Sequence, residues 1–168
     1  MTSSRVKRLT LDAMLLGVAM MLSYLEAVLP LSLVIPIPGA KLGLCNVVVT
    51  LCFYAVSPLD AGIVSLMRIT LTSLLFGNVS SFIFSLFGGF FAYAGMWLCK
   101  FFGDKVSYYG ISVLCAALHN IGQCLAGSVL LFSFSIFSYL PLLLIFAVAF
   151  GLVTGAVITP IMRLFKNA

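Results

Sequence analysis

Long apolar runs separated by short polar breaks dominate the pattern of hydrophobic and polar positions along the chain. Helix is the expected structure of each run, because an isolated apolar stretch can satisfy its backbone hydrogen bonds in lipid only as a helix. A β-barrel would need alternating segments of about ten residues, and that alternation is missing. We therefore predict an all-α membrane protein, a bundle of about six transmembrane helices in one domain over residues 1–168. The predicted spans are residues 9–29, 42–56, 59–76, 79–99, 108–132 and 137–163.

Composition supports the membrane assignment. The chain is 63% hydrophobic and 8% charged, whereas soluble domains are about 45–50% apolar and about 25% charged. The first apolar run, 9–29, follows Arg5, Lys7 and Arg8. It is longer than the apolar region of a signal peptide, about 7–15 residues, so it is expected to be a retained span.

The basic residues predict an orientation. With the amino terminus in the cytoplasm, seven of the nine lysines and arginines fall on the cytoplasmic side, as the positive-inside rule requires. These seven are Arg5, Lys7, Arg8, Lys100, Lys105, Arg163 and Lys166. Both termini are then cytoplasmic, in a multi-pass protein of the plasma membrane. Because the charges follow helix ends, the net charge of +5 indicates lipid contact and no nucleic-acid partner.

Several polar residues lie inside the predicted spans, where ionisable groups are costly and by default suggest function. They come from different helices, in the middle or outer half of the bilayer. The predicted ligand-binding residues are Glu26, Lys41, Asn46, Arg68, His119, Asn120 and Gln123. A shared cavity opening outward would satisfy them all and would favour an anionic or strongly polar ligand. The alternative is a set of structural pairs, with Glu26 bound to Lys41 or Arg68, and His119 bound to a backbone carbonyl.

The connection between the first two spans, residues 30–40, is apolar and rich in proline, so it cannot be a continuous helix. We expect it to pack against the protein or to cap the predicted cavity.

Small residues at a spacing of four let helix backbones approach closely. This spacing occurs in Ala13-x-x-x-Gly17, Gly122-x-x-x-Ala126 and Gly151-x-x-x-Gly155. Packing within the chain explains each of them, and contact with a partner subunit is the alternative.

Motifs for catalysis are missing from the sequence. The four acidic residues, Asp12, Glu26, Asp60 and Asp104, lie far apart along the chain. No glycine-rich phosphate loop with a lysine occurs, so the chain is not expected to hydrolyse ATP itself. No histidine pair suggests a metal site, and the five cysteines are interpreted as small buried apolar residues. We expect no catalytic residue, metal or cofactor.

Three stretches resemble a bacterial membrane family. They are EAVLP from Glu26, PGAKLGLCN ending at Asn46, and HNIGQ from His119 to Gln123, together with Arg68. The family is described both as heptaprenyl diphosphate synthase component I and as the Gx transporter family. It resembles in turn the substrate-binding S components of energy-coupling factor (ECF) transporters. That resemblance implies an S-component-like bundle with an outward-facing pocket, a capping first loop, and docking through Ala13 and Gly17 to a transmembrane coupling subunit with ATPase subunits.

The two descriptions imply different functions. Prenyl diphosphate synthases hold magnesium and diphosphate with clustered aspartates such as DDxxD, and this chain has no adjacent acidic pair. The favoured hypothesis is a transporter subunit that captures a small compound, vitamin-like or isoprenoid-like, from outside. A non-catalytic component assisting heptaprenyl diphosphate or quinone synthesis is the first alternative, and a membrane scaffold is the second.

Overall fold

The computed structural model describes residues 2–28, 43–103 and 106–167, and within them it contains helices and no strand. The helices are α1 (Thr2–Val28), α2 (Asn46–Ala55), α3 (Pro58–Phe76), α4 (Val79–Phe101), α5 (Tyr108–Leu130) and α6 (Leu140–Asn167), with a short 3-10 helix (Phe134–Tyr139) before α6. All but α2 are long and apolar enough to cross a membrane. The predicted all-α membrane fold is confirmed.

Polar residues determine where several helices begin. Ser57, Asn78 and Ser107 precede α3, α4 and α5, and each side chain accepts a hydrogen bond from a backbone N–H of the first turn. Such caps satisfy donors that have no partner within the helix. The short polar breaks in the sequence thus end one apolar run and start the next.

Helix α2 is the exception to the predicted pattern. It has 10 residues, about 15 Å at 1.5 Å per residue, which is half of a hydrocarbon core of about 30 Å. The predicted span begins at residue 42, whereas the helix begins at Asn46. The preceding residues 29–42, which include the predicted capping connection 30–40, lie outside the described residues.

Contacts between helices give their directions. The Arg8 Nε donates to the Asp60 carboxylate at 2.6 Å, and the rings of Tyr24 and Phe76 lie 5.0 Å apart. Helices α1 and α3 are therefore parallel. The Tyr93 hydroxyl donates to the Pro58 carbonyl, so the end of α4 meets the beginning of α3.

Helix α5 is antiparallel to α4, and α6 is antiparallel to α5. Glycines let these helices approach closely. A Cβ on Gly122 of α5 would lie 2.6 Å from the Phe87 carbonyl oxygen of α4, and a Cβ on Gly155 of α6 would lie 2.8 Å from the Tyr109 Cα of α5. The start of α1 and the end of α6 consequently lie at one end of the bundle. We call it the basic end, because Arg5, Lys7, Arg8, Lys100 and Arg163 lie there.

Candidate functional site

Arg68 lies midway along α3 and is 1% exposed. Its Nη1 donates to the Ser23 hydroxyl at 3.3 Å and to the Cys45 sulfur at 2.8 Å. Its Nε and Nη2 have no hydrogen-bond partner in the described part of the chain. A buried cation therefore contacts a hydroxyl and a sulfur through one nitrogen, and its other two nitrogens have no partner among the described residues.

Glu26 lies on α1 and is 2% exposed. Its Oε1 accepts the backbone N–H of Leu44 at 2.6 Å, just before α2. This places a carboxylate at the amino-terminal end of α2, where the helix dipole is positive and favours an anion. Among the described contacts, the Arg68 guanidinium binds Ser23 and Cys45 and does not bind Glu26. Lys41, the other proposed partner of Glu26, lies outside the described residues.

His119 lies on α5, where the Gln123 Nε2 is 2.9 Å from its Nε2. Two glycines make room for the imidazole. A Cβ on Gly88 of α4 would be 2.6 Å from Cε1, and a Cβ on Gly43 would be 3.1 Å from Cδ2. Gly43 also has a φ of +81°, a conformation that side chains disfavour. The backbone before α2 therefore passes directly against the histidine.

Asn46 joins this group, because its Nδ2 lies 2.8 Å from the Cβ position of Gly43. Gly89 connects Arg68 to α4, since its Cβ position is 3.9 Å from the Arg68 Nη2. The side chains of Glu26, Asn46, Arg68, His119 and Gln123, which surround the turn at residues 43–45, form what we call the polar centre.

Asn120 is placed differently from the other predicted ligand-binding residues that the structure describes. Its Nδ2 donates to the Leu143 carbonyl of α6 at 2.7 Å, so this bond joins α5 to α6. Residues that the sequence did not suggest contact the polar centre, namely Ser23, Gly43, Cys45, Gly88 and Gly89. Of these, Gly43 and Cys45 fall inside the PGAKLGLCN stretch, which is the signal that could have identified them.

The polar centre is closed in this structure. No side chain in it is more than 7% exposed, and the outward opening expected from the sequence stays a prediction.

The small-residue motif of α1 faces away from the chain. Ala13 and Gly17 are exposed, and a Cβ on Gly17 would have no atom within 4 Å. Gly122, Gly151 and Gly155, by contrast, each lie within 3 Å of another helix at the Cβ position. Packing within the chain therefore explains the motifs of α5 and α6, whereas Gly17 of α1 meets no other described element at its Cβ position.

Comparison with known proteins identifies one relationship. The family model described as heptaprenyl diphosphate synthase component I matches residues 15–161. No curated protein and no solved structure is similar enough to count as a match.

Proposed function

The chain belongs to the heptaprenyl diphosphate synthase component I family, and from that premise we propose that it is the substrate-binding membrane subunit of an ECF-type transporter. In this proposal it captures a small anionic compound from outside, and partner subunits supply ATP hydrolysis. The observation that carries the proposal is Arg68, a buried guanidinium with two donors that have no partner among the described residues. A cation at mid-membrane costs about 2.5–3.5 kcal/mol on insertion scales, and an anionic ligand would offset that cost.

The environment of Arg68 supports an anionic ligand. The carboxylate of Glu26 is held at the start of α2 by Leu44, which leaves neutral acceptors at the guanidinium. Broken helices whose amino-terminal ends point into the membrane recur at substrate sites of transporters, and α2 begins beside Cys45 and Arg68. Asn46, His119 and Gln123 supply further hydrogen-bonding groups, and Lys41 is proposed to join them.

Native mass spectrometry of the purified chain tests this function. The wild-type protein should retain a co-purified small molecule of negative charge, and Arg68→Met should not. Arg163→Met is the matched control, because it removes the same charge from an exposed position at the basic end and should keep the molecule. A wild-type protein that never carries or captures an anion would contradict the proposal.

The proposed orientation places the basic end, with both termini, in the cytoplasm, because positive charge collects on that side. Asn78 is exposed at the opposite end, and Ser107 is exposed at the basic end. A membrane-impermeant maleimide applied to intact cells should label Asn78→Cys and leave Ser107→Cys unlabelled until the cells are opened. The five native cysteines are buried, so the wild-type chain is the background control. If only Ser107→Cys were labelled in intact cells, the protein would have the opposite orientation to the one proposed.

Docking to a coupling subunit is assigned to Ala13 and Gly17, because small exposed residues let a partner helix approach closely. Gly17→Leu should leave the isolated chain as stable as wild type, since the position has no neighbour. It should reduce co-purification of partner subunits about tenfold or more, which corresponds to about 1.4 kcal/mol. Ala94→Leu adds similar bulk at an exposed position of α4 and should have no effect. If both variants recovered equal amounts of the partner subunits, the proposal that Ala13 and Gly17 form the docking interface would be wrong.

A second candidate function is that of a non-catalytic membrane component assisting heptaprenyl diphosphate or quinone synthesis. The family description favours it, and the absence of an adjacent acidic pair from the sequence assigns metal-diphosphate chemistry to a separate subunit. The same co-purification distinguishes the candidates. Recovery of ATPase subunits supports transport, and recovery of a protein with DDxxD motifs supports synthesis.

A further inference from the structure

A small chamber lies between α2, α5 and α6, on the side of the polar centre that faces the basic end. Its volume is about 10 Å³, which is the space that one water molecule needs. The polar residues in its wall are Asn46 and Thr50 of α2, Ser112 of α5 and Thr154 of α6. Among the described residues, no charged side chain lines it.

Two polar atoms in this wall have no hydrogen-bond partner among the described residues. They are the Nδ2 of Asn46 and the Oγ of Ser112, on side chains that are 7% and 4% exposed. Buried polar atoms in proteins are nearly always paired, with water where no protein group is in reach. Both residues line the chamber, so a single molecule inside it would lie beside Asn46 and Ser112.

We propose that the chamber is a binding site for one water molecule, which bridges Asn46 and Ser112 and thereby joins α2 to α5. Water fits the wall in either orientation of the Asn46 amide, because it both donates and accepts hydrogen bonds. A hard cation takes about six oxygen ligands, usually with carboxylates among them, whereas the described polar side chains of the wall are one amide and three hydroxyl groups.

The water site also bears on the polar centre, in a step that rests on the proposed function. Gly43 lies in the wall of the chamber, and its Cβ position is close to both the Asn46 amide and the His119 ring. Water bound to Asn46 therefore fixes the amide in the position from which it faces the ligand. Ser112 is a positioning residue in this arrangement, and it acts through the water and Asn46.

A pair of serine substitutions tests the water site. Ser85 is a matched control, because it is also buried, its Oγ also has no partner among the described residues, and it does not line the chamber. Ser85→Ala removes an unpaired hydroxyl and should leave the melting temperature unchanged or raise it. Ser112→Ala removes one anchor of the water and should lower the melting temperature by about 2–4 °C. If Ser112→Ala melts like Ser85→Ala, the water site is wrong.

Two further measurements separate the possible failures. The melting temperature of the wild-type chain should be the same in sodium chloride and choline chloride, and stabilisation by sodium would overturn water in favour of a cation. Retention of the co-purified anion by Ser112→Ala should fall at least threefold. If the melting temperature falls and anion retention does not, the positioning role of Ser112 is overturned and the water site stands. If the wild type retains no anion at all, the proposed function fails, and the melting temperatures alone decide the water site.

Discussion

Arg68→Met is expected to abolish ligand capture while leaving a folded protein. Loss of a desolvated charge contact from a binding site weakens binding by about 2 kcal/mol or more, which is about 30-fold or more in affinity. The fold should survive, because Met removes the cost of burying a cation in the membrane and the described contacts of Arg68 include no carboxylate. The described partners of Arg68 are the Ser23 hydroxyl and the Cys45 sulfur, and neither is a carboxylate that would lose its counter-charge.

The opposite result identifies a structural ion pair. If Arg68 served to neutralise Glu26, Arg68→Met would leave a buried carboxylate without a counter-charge and would cost about 3–5 kcal/mol of stability. The double variant Arg68→Met/Glu26→Gln would then recover that stability. The measurements are the melting temperature of each variant and the amount of anion each retains, with Arg163→Met as the exposed control. A double variant that folds and still binds normally would assign Arg68 and Glu26 to structure.

The fold class could be predicted from the sequence because each long apolar run is informative without its neighbours. The length of α2 could not be predicted in this way. Residues 42–44 are as apolar as the helix that follows, so the pattern does not mark its first residue. A tertiary contact coincides with that boundary, since Glu26, on another helix, binds the N–H of Leu44. Hydrophobic periodicity contains no information about such a contact.

The candidate site was predicted in part for a similar reason. Arg68 and His119 stand out in the sequence because charged and imidazole groups are costly in lipid. The glycines that make room for them do not stand out, because a glycine in a membrane helix is ordinarily interpreted as packing. Only the arrangement of helices shows that Gly88 faces His119 and that Gly89 faces Arg68. Asn120 does stand out in the sequence as a polar residue in a membrane helix, but its described hydrogen bond joins α5 to α6.

Gly122→Ala is expected to be strongly destabilising, although it adds a single methyl group. The new Cβ would lie 2.6 Å from the carbonyl oxygen of Phe87 and 3.0 Å from its carbonyl carbon. Both are backbone atoms, so no side chain can rotate away, and α4 and α5 must move apart. Overpacking of this kind lowers the free energy of unfolding by about 1–3 kcal/mol. The movement would also disturb the packing of His119 against Gly88.

Gly17→Ala is the matched control, and its effect should have the opposite sign. This glycine also lies in a membrane helix within a small-residue motif, but no described residue outside its own helix comes within 4 Å of its Cβ position. Alanine is favoured over glycine in a helix by up to about 1 kcal/mol, so the variant should be as stable as wild type or more so. Unfolding by sodium dodecyl sulfate in mixed micelles measures both variants. If Gly122→Ala were as stable as Gly17→Ala, α4 and α5 would not be in close backbone contact. The described packing of Gly88 of α4 against His119 of α5 would then also be wrong.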